Sequence, residues 1–155
     1  MGNTSTWIAV VDDEAGIRRA MLRLLNAVGL EAYSFTSGIL LLDSLHLRQP
    51  ACILLDLQMP DMSGYAVLAR LALIAPQIPV IVMTASKVSD IVVRTGLSHA
   101  QAVLHKPFND QDLFVEIEKA LGLTYVSDAV VSDSAHGDQQ SAGGYPSHLS
   151  IINKI

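Results

Sequence analysis

The sequence is short of cysteine, of charge and of long apolar runs. A single cysteine, Cys52, in 155 residues excludes an internal disulfide framework and a cysteine-rich zinc site. Charged residues make up 16%, below the ~25% of an average domain, while hydrophobic residues reach 50%. A disordered chain shows the opposite balance. The strongest apolar runs, Gly38–Leu42 and Ile78–Met83, fall far short of the roughly 18 residues a spanning helix needs. The positive mean hydropathy of +0.38 therefore speaks for strands buried on both faces of a parallel sheet, not for a membrane. MGNTSTW has no basic stretch before an apolar core, so no secretory signal is expected, and the expected location is the cytoplasm. A net charge of −5 does not provide the basic face of a nucleic-acid binder. There is no GxxxxGK[ST] loop for nucleotide phosphates.

What is present alternates. The apolar run Trp7–Val11 predicts a buried strand ending at Asp12-Asp13. Ile17, Ala20, Met21, Leu24, Leu25 and Val28 follow at helical spacing, with Gly29 as the stop. Arg18 and Arg19 read as the solvated face of that helix. Glu31–Phe35 alternates like a strand, and Ser37–Leu47 reads as a helix capped by Ser37. Cys52–Leu55 predicts a buried strand ending at Asp56. Ser63 caps a helix running to Ile74. Val80–Met83 predicts a strand ending at Thr84, and a weak helix covers Ser89–Leu97. Ala102–Leu104 is a short strand before Lys106-Pro107, and Asn109 caps a last helix. After residue 122 the composition shifts to Ser, Gly, Asp and Gln, which predicts a linker or disordered tail over 123–155. Its last stretch, LSIINKI, is apolar again.

Five β–α repeats with short connections predict an α/β fold, a doubly wound parallel sheet of flavodoxin-like (βα)5 form with strand order 2-1-3-4-5. All carboxyl ends of such a sheet lie on one edge. The carboxylates of Asp12, Asp13 and Asp56, the Thr84 hydroxyl and the Lys106 ammonium are thus expected in one pocket. Each follows an apolar run, where an ordinary core would not put it. Clustered carboxylates repel and need a cation. Lys106 supplies one charge, and a hard divalent ion such as Mg²⁺, which prefers oxygen ligands, supplies more. A carboxylate so placed is a nucleophile for a phosphoryl group.

These motifs resemble the receiver domain of two-component response regulators. They are VVDDE at Val10–Glu14, LLDLQMPDMSG at Leu54–Gly64, VMTAS at Val82–Ser86 and HKPF at His105–Phe108. The resemblance covers residues 6–122, and a receiver domain is expected over 1–122. It implies that Asp56 is the phosphoacceptor, accepting a phosphoryl group from phosphohistidine. It implies that Asp13, supported by Asp12, binds Mg²⁺ together with Asp56 and the backbone carbonyl of Gln58. Thr84 takes the switch position, Lys106 the phosphate-binding position and Pro107 the family's cis-proline position. One departure stands out: Val103 occupies the place where the family usually has Tyr or Phe, so a weaker or different readout of the switch is expected.

The implied function is a phosphorylation-controlled switch, not an enzyme acting on metabolites. Its implied partner is a sensor histidine kinase or a phosphotransfer protein, and a homodimer through residues 89–121 is a further expectation. Two other functions compete with it. A phosphohydrolase with an aspartate nucleophile commonly has a second acid two residues later, where this chain has Gln58. An interaction module without the chemistry would not need all five site side chains.

Overall fold

The computed structural model describes residues 6–85 and 98–123. Five parallel strands form one sheet: β1 (Trp7–Val11), β2 (Glu31–Phe35), β3 (Cys52–Asp56), β4 (Val80–Thr84) and β5 (Ala102–His105). Their order is β2-β1-β3-β4-β5, as predicted for a flavodoxin-like fold. The described helices are α1 (Ala15–Ala27), α2 (Gly38–Ser44), α3 (Gly64–Ile74) and, here, α4 (Asp110–Ala120). The helix expected over Ser89–Leu97 and the tail expected after residue 123 lie outside the described residues.

The three central strands, β1, β3 and β4, are buried at every position. Alternate side chains of a strand point to opposite faces, so the sheet feeds two cores. On one face Ala9, Val11, Ile53, Leu55, Val80 and Val82 pack with Leu41 of α2 and Val67, Leu68 and Leu71 of α3. On the other, Ile8, Val10, Leu54, Ile81 and Met83 pack with Met21 and Leu25 of α1 and Leu113 and Ile117 of α4. Each fully buried side chain of this size contributes about 1.5–3 kcal/mol. Cys52 belongs to the second core, and burial pushes its thiol pKa up to about 12. It is a packing residue, not a nucleophile.

Helix ends follow local chemistry. Ser37, Ser63 and Asn109 cap α2, α3 and α4 by accepting from Leu40, Ala66 and Asp112 amides. Helix α1 ends with Gly29 at φ 82°. The Leu30 and Gly29 amides return to the Leu25 and Asn26 carbonyls, a Schellman ending. Gly122, at φ 67°, ends α4 in the same way, with Leu123 donating to Glu118 and Gly122 to Lys119. Helix α2 stops at Ser44 rather than at the expected Leu47. The Ser44 hydroxyl donates to the Leu41 carbonyl at 2.7 Å, and Leu47 is left exposed. Strand β5 runs one residue further than expected, through an exposed His105. Among the described residues no helix is long and apolar enough to cross a membrane.

Gly64 opens α3 where it passes the end of β3. A Cβ there would lie 2.5 Å from the Asp56 carbonyl oxygen and 2.5 Å from the Leu57 Cα, and backbone cannot yield as a side-chain tip can. Gly64→Ala is predicted to destabilise the fold by about 1–3 kcal/mol. Thermal and urea unfolding would check it; an unchanged midpoint would show that the loop accommodates a methyl group.

Candidate functional site

Parallel register brings the polar residues together. Strand β3 pairs Leu55 with Val11 of β1 and Asp56 with Met83 of β4, and β4 pairs Thr84 with His105 of β5. Asp12 follows β1, Asp56 and Thr84 are the last residues of β3 and β4, and Lys106 follows β5. The main chain ties these ends laterally: Leu57 donates to the Met83 carbonyl at 3.1 Å and Lys106 to the Thr84 carbonyl at 2.8 Å.

Asp12, Asp13 and Asp56 each offer a carboxylate oxygen within 4.8 Å of the others. Asp12 is 0% exposed and Asp56 3%, whereas Asp13 opens to solvent. The Lys106 Nζ stands 3.4 Å from Asp12 Oδ2 and 3.6 Å from Asp56 Oδ1. Asp12 is bonded at every polar point. Its N–H donates to the Phe35 carbonyl, Oδ1 accepts from the Glu14 amide at 2.9 Å, and Oδ2 accepts from Lys106. Its carbonyl accepts from Arg18 Nη1 at 2.8 Å. Asp56 Oδ1 accepts the Gln58 amide at 3.2 Å.

Burial pushes the Asp56 carboxyl above its ordinary pKa, against the lowering pull of the Gln58 amide and the Lys106 charge; Asp12 and Asp13 add repulsion. One lysine against three carboxylates leaves an excess of negative charge. The donor set is all oxygen and already clustered, which fits a hard divalent cation. Thr84, the last residue of β4, is 1% exposed.

The structure thus brings together Asp12, Asp13, Asp56 and Lys106, with Thr84 one hydrogen bond away through the backbone. Gln58 joins the group by its amide. The Lys106–Pro107 peptide bond is cis. Val103 is half-buried on β5 against the α2–α3 core. Arg18 corrects the expectation of a solvated face: its guanidinium turns back to the Asp12 carbonyl instead. The signal was a basic residue one turn into a helix that starts beside an acidic loop, but helical spacing alone does not say which way a long side chain lies.

Comparison with known proteins agrees with this geometry. Residues 8–118 match the response regulator receiver domain family. The DNA-binding transcriptional regulator NtrC of Klebsiella pneumoniae is 35% identical over 112 residues, which are 72% of this chain and 24% of that protein. The chain therefore spans about a quarter of that relative's length. A response regulator receiver protein from Burkholderia phymatum is 40% identical, with a TM-score of 0.66 over 77% of this chain and 97% of that one. The response regulator TrrA of Thermotoga maritima, solved with Mg²⁺-BeF, is 27% identical, with a TM-score of 0.68 over 75% of this chain and 99% of that one. With the family model spanning most of the chain and the acid pocket lying at the carboxyl edge of a matching sheet, the chain belongs to the receiver domains of two-component response regulators.

Proposed function

We propose that this chain is a phosphorylation-controlled switch in which Asp56 accepts a phosphoryl group from a phosphohistidine. The observation that carries this reading is the buried Asp56 carboxylate, beside two further acids and 3.6 Å from a lysine ammonium. Low exposure strips water from the nucleophile and raises its basicity. An Asp56 carboxylate oxygen bonds to phosphorus as the phosphorus–nitrogen bond to the donor imidazole breaks, and the electron pair leaves on that nitrogen. Lys106 is placed to move from pairing carboxylates to pairing a phosphoryl oxygen, and the Thr84 hydroxyl to donate to another.

Asp12, Asp13, Asp56 and the Gln58 carbonyl would hold Mg²⁺, which supplies charge neutralisation for phosphoryl oxygens. The TrrA complex with Mg²⁺-BeF supports that choice by kinship. The donor is a sensor histidine kinase or a phosphotransfer protein. The receiver takes residues 1–122, with 123–155 as linker or tail, and works in the cytoplasm. Its output is a changed partner-binding face that includes α4. Val103, smaller than the aromatic ring usual at this place, weakens the part of that change carried on β5.

Intact mass after incubation with acetyl phosphate and Mg²⁺ tests the acceptor. One phosphoryl adduct is expected on the native chain and none on Asp56→Ala. An undiminished adduct on Asp56→Ala would place the chemistry elsewhere.

The raised Asp56 pKa has a sign for stability. Its folded value lies above the unfolded ~3.9, so ionisation costs the fold. That cost is complete above the folded pKa and vanishes as pH falls through it toward the unfolded value. In chelator at neutral pH, Asp56→Asn is predicted to melt a few degrees higher than wild type, and the gap should close below about pH 4. Mg²⁺ should then raise the wild-type Tm more than the Asp56→Asn value. A variant melting below wild type at pH 7 would reverse the assignment.

A homodimer formed on phosphorylation through residues 89–121 predicts a doubling of mass in light scattering when beryllofluoride is added with Mg²⁺. A constant monomer mass at concentrations well above micromolar would rule it out.

A further inference from the structure

Helix α1 enters directly from the acidic loop, yet its N-cap residue Glu14 provides no side-chain cap. Asp12 meets the N-cap residue's own amide from two residues back, with Oδ1 accepting the Glu14 N–H at 2.9 Å. The loop is then held from the other side. Arg18, one turn into α1, donates from Nη1 to the Asp12 carbonyl at 2.8 Å, and its own amide donates to the Glu14 carbonyl at 3.1 Å. The carbonyl that Arg18 grips is half of the peptide group joining Asp12 to Asp13. Asp13, by contrast, is exposed at the pocket mouth. The orientation of its backbone is thus set through the peptide plane that Arg18 holds.

We infer that Arg18 is a positioning residue for the acid pocket: it locks the Asp12–Asp13 peptide plane and so presents the two carboxylates at the separation a divalent cation requires. The inference rests on the acceptor reading above and adds to it a side chain outside the cluster. Only a long side chain with a directional donor performs this task. The guanidinium bonds the Asp12 main-chain carbonyl rather than a carboxylate oxygen, so it does not compete with a cation for that bond. Groups that orient ligands from behind commonly change metal affinity by about 10-fold or more when removed.

The test is Mg²⁺ titration by calorimetry on the full chain, with Arg18→Met, which keeps the stem and removes the donors, and Arg18→Gln, which shortens the reach. A second readout is the rate of phosphorylation by acetyl phosphate across Mg²⁺ concentrations. Both variants are expected to bind Mg²⁺ roughly 10-fold more weakly. Their phosphorylation rates should fall at low Mg²⁺ and approach wild type at saturating Mg²⁺. Arg18→Lys, which retains one donor, should recover part of the affinity. A lower Tm with unchanged Mg²⁺ affinity in whichever variant folds would mark a merely structural clamp and overturn the inference. A wild-type chain that takes no Mg²⁺ overturns the metal reading and this inference with it. A wild type that binds Mg²⁺ while both variants bind equally well overturns this inference alone.

Discussion

Two carboxylates kept from water within 4.8 Å of a third are the constraint around which this domain is arranged. Like charges at that separation repel, and removal from water raises the cost of each. A fold tolerates such a cluster only where fixed partners offset it. Here the offsets are one ammonium and two backbone amides, and the Asp13 side is open to solvent. Each offset comes from a different element. Lys106 arrives from beyond β5, Glu14 from the start of α1, and Gln58 from the β3–α3 loop. The pocket therefore draws on most of the carboxyl edge at once. Under the proposed switch, a change in its charge bears on several loops at once.

Beneath that edge lies the best-buried part of the sheet. Strands β1, β3 and β4 are buried at every position, and they are the strands that end in or beside the acids. The edge strands differ. Strand β2 is only partly covered, and β5 carries an exposed His105 and a half-buried Val103. Burial is thus greatest under Asp12 and Asp56 and smaller at both edge strands, including β5, from which Lys106 follows. Under the proposed switch, that contrast leaves the acceptor on the best-packed strand.

Most of this was legible in the chain because burial on both faces leaves a plain trace. Runs such as WIAVV, CILLD and VIVMT have no polar alternation, so a polar residue at their ends is conspicuous. Ser37, Ser63 and Asn109 are readable as caps because each is a small polar residue standing just before a stretch with helical spacing. Short, partly exposed elements were less clear. The true end of α2 at Ser44 depends on a hydroxyl folding back on Leu41, and the residues beyond it are apolar enough to continue a helix on paper. Arg18 was misread because a helical wheel assigns a face to a Cα, whereas a guanidinium six atoms out can reach around to another. Gly64 gave no signal of crowding, because only the packed structure shows how near α3 comes to the β3 backbone.

The bond between Lys106 and Thr84 connects these points. The Lys106 amide donates to the Thr84 carbonyl at 2.8 Å while its ammonium reaches the acids. One residue thus spans the end of β4 and the charge cluster. If phosphorylation draws the ammonium toward a new dianion, the pull is delivered to the end of β4 at Thr84. Side-chain and main-chain responses then act along one line rather than independently. Val103 lies three residues before Lys106 on the same strand, and it meets that motion with a compact, β-branched side chain that has few rotamers to exchange. Under the proposed switch, a valine in this place leaves the change of face to movement of backbone at the ends of β4 and β5 rather than to rotation of a ring.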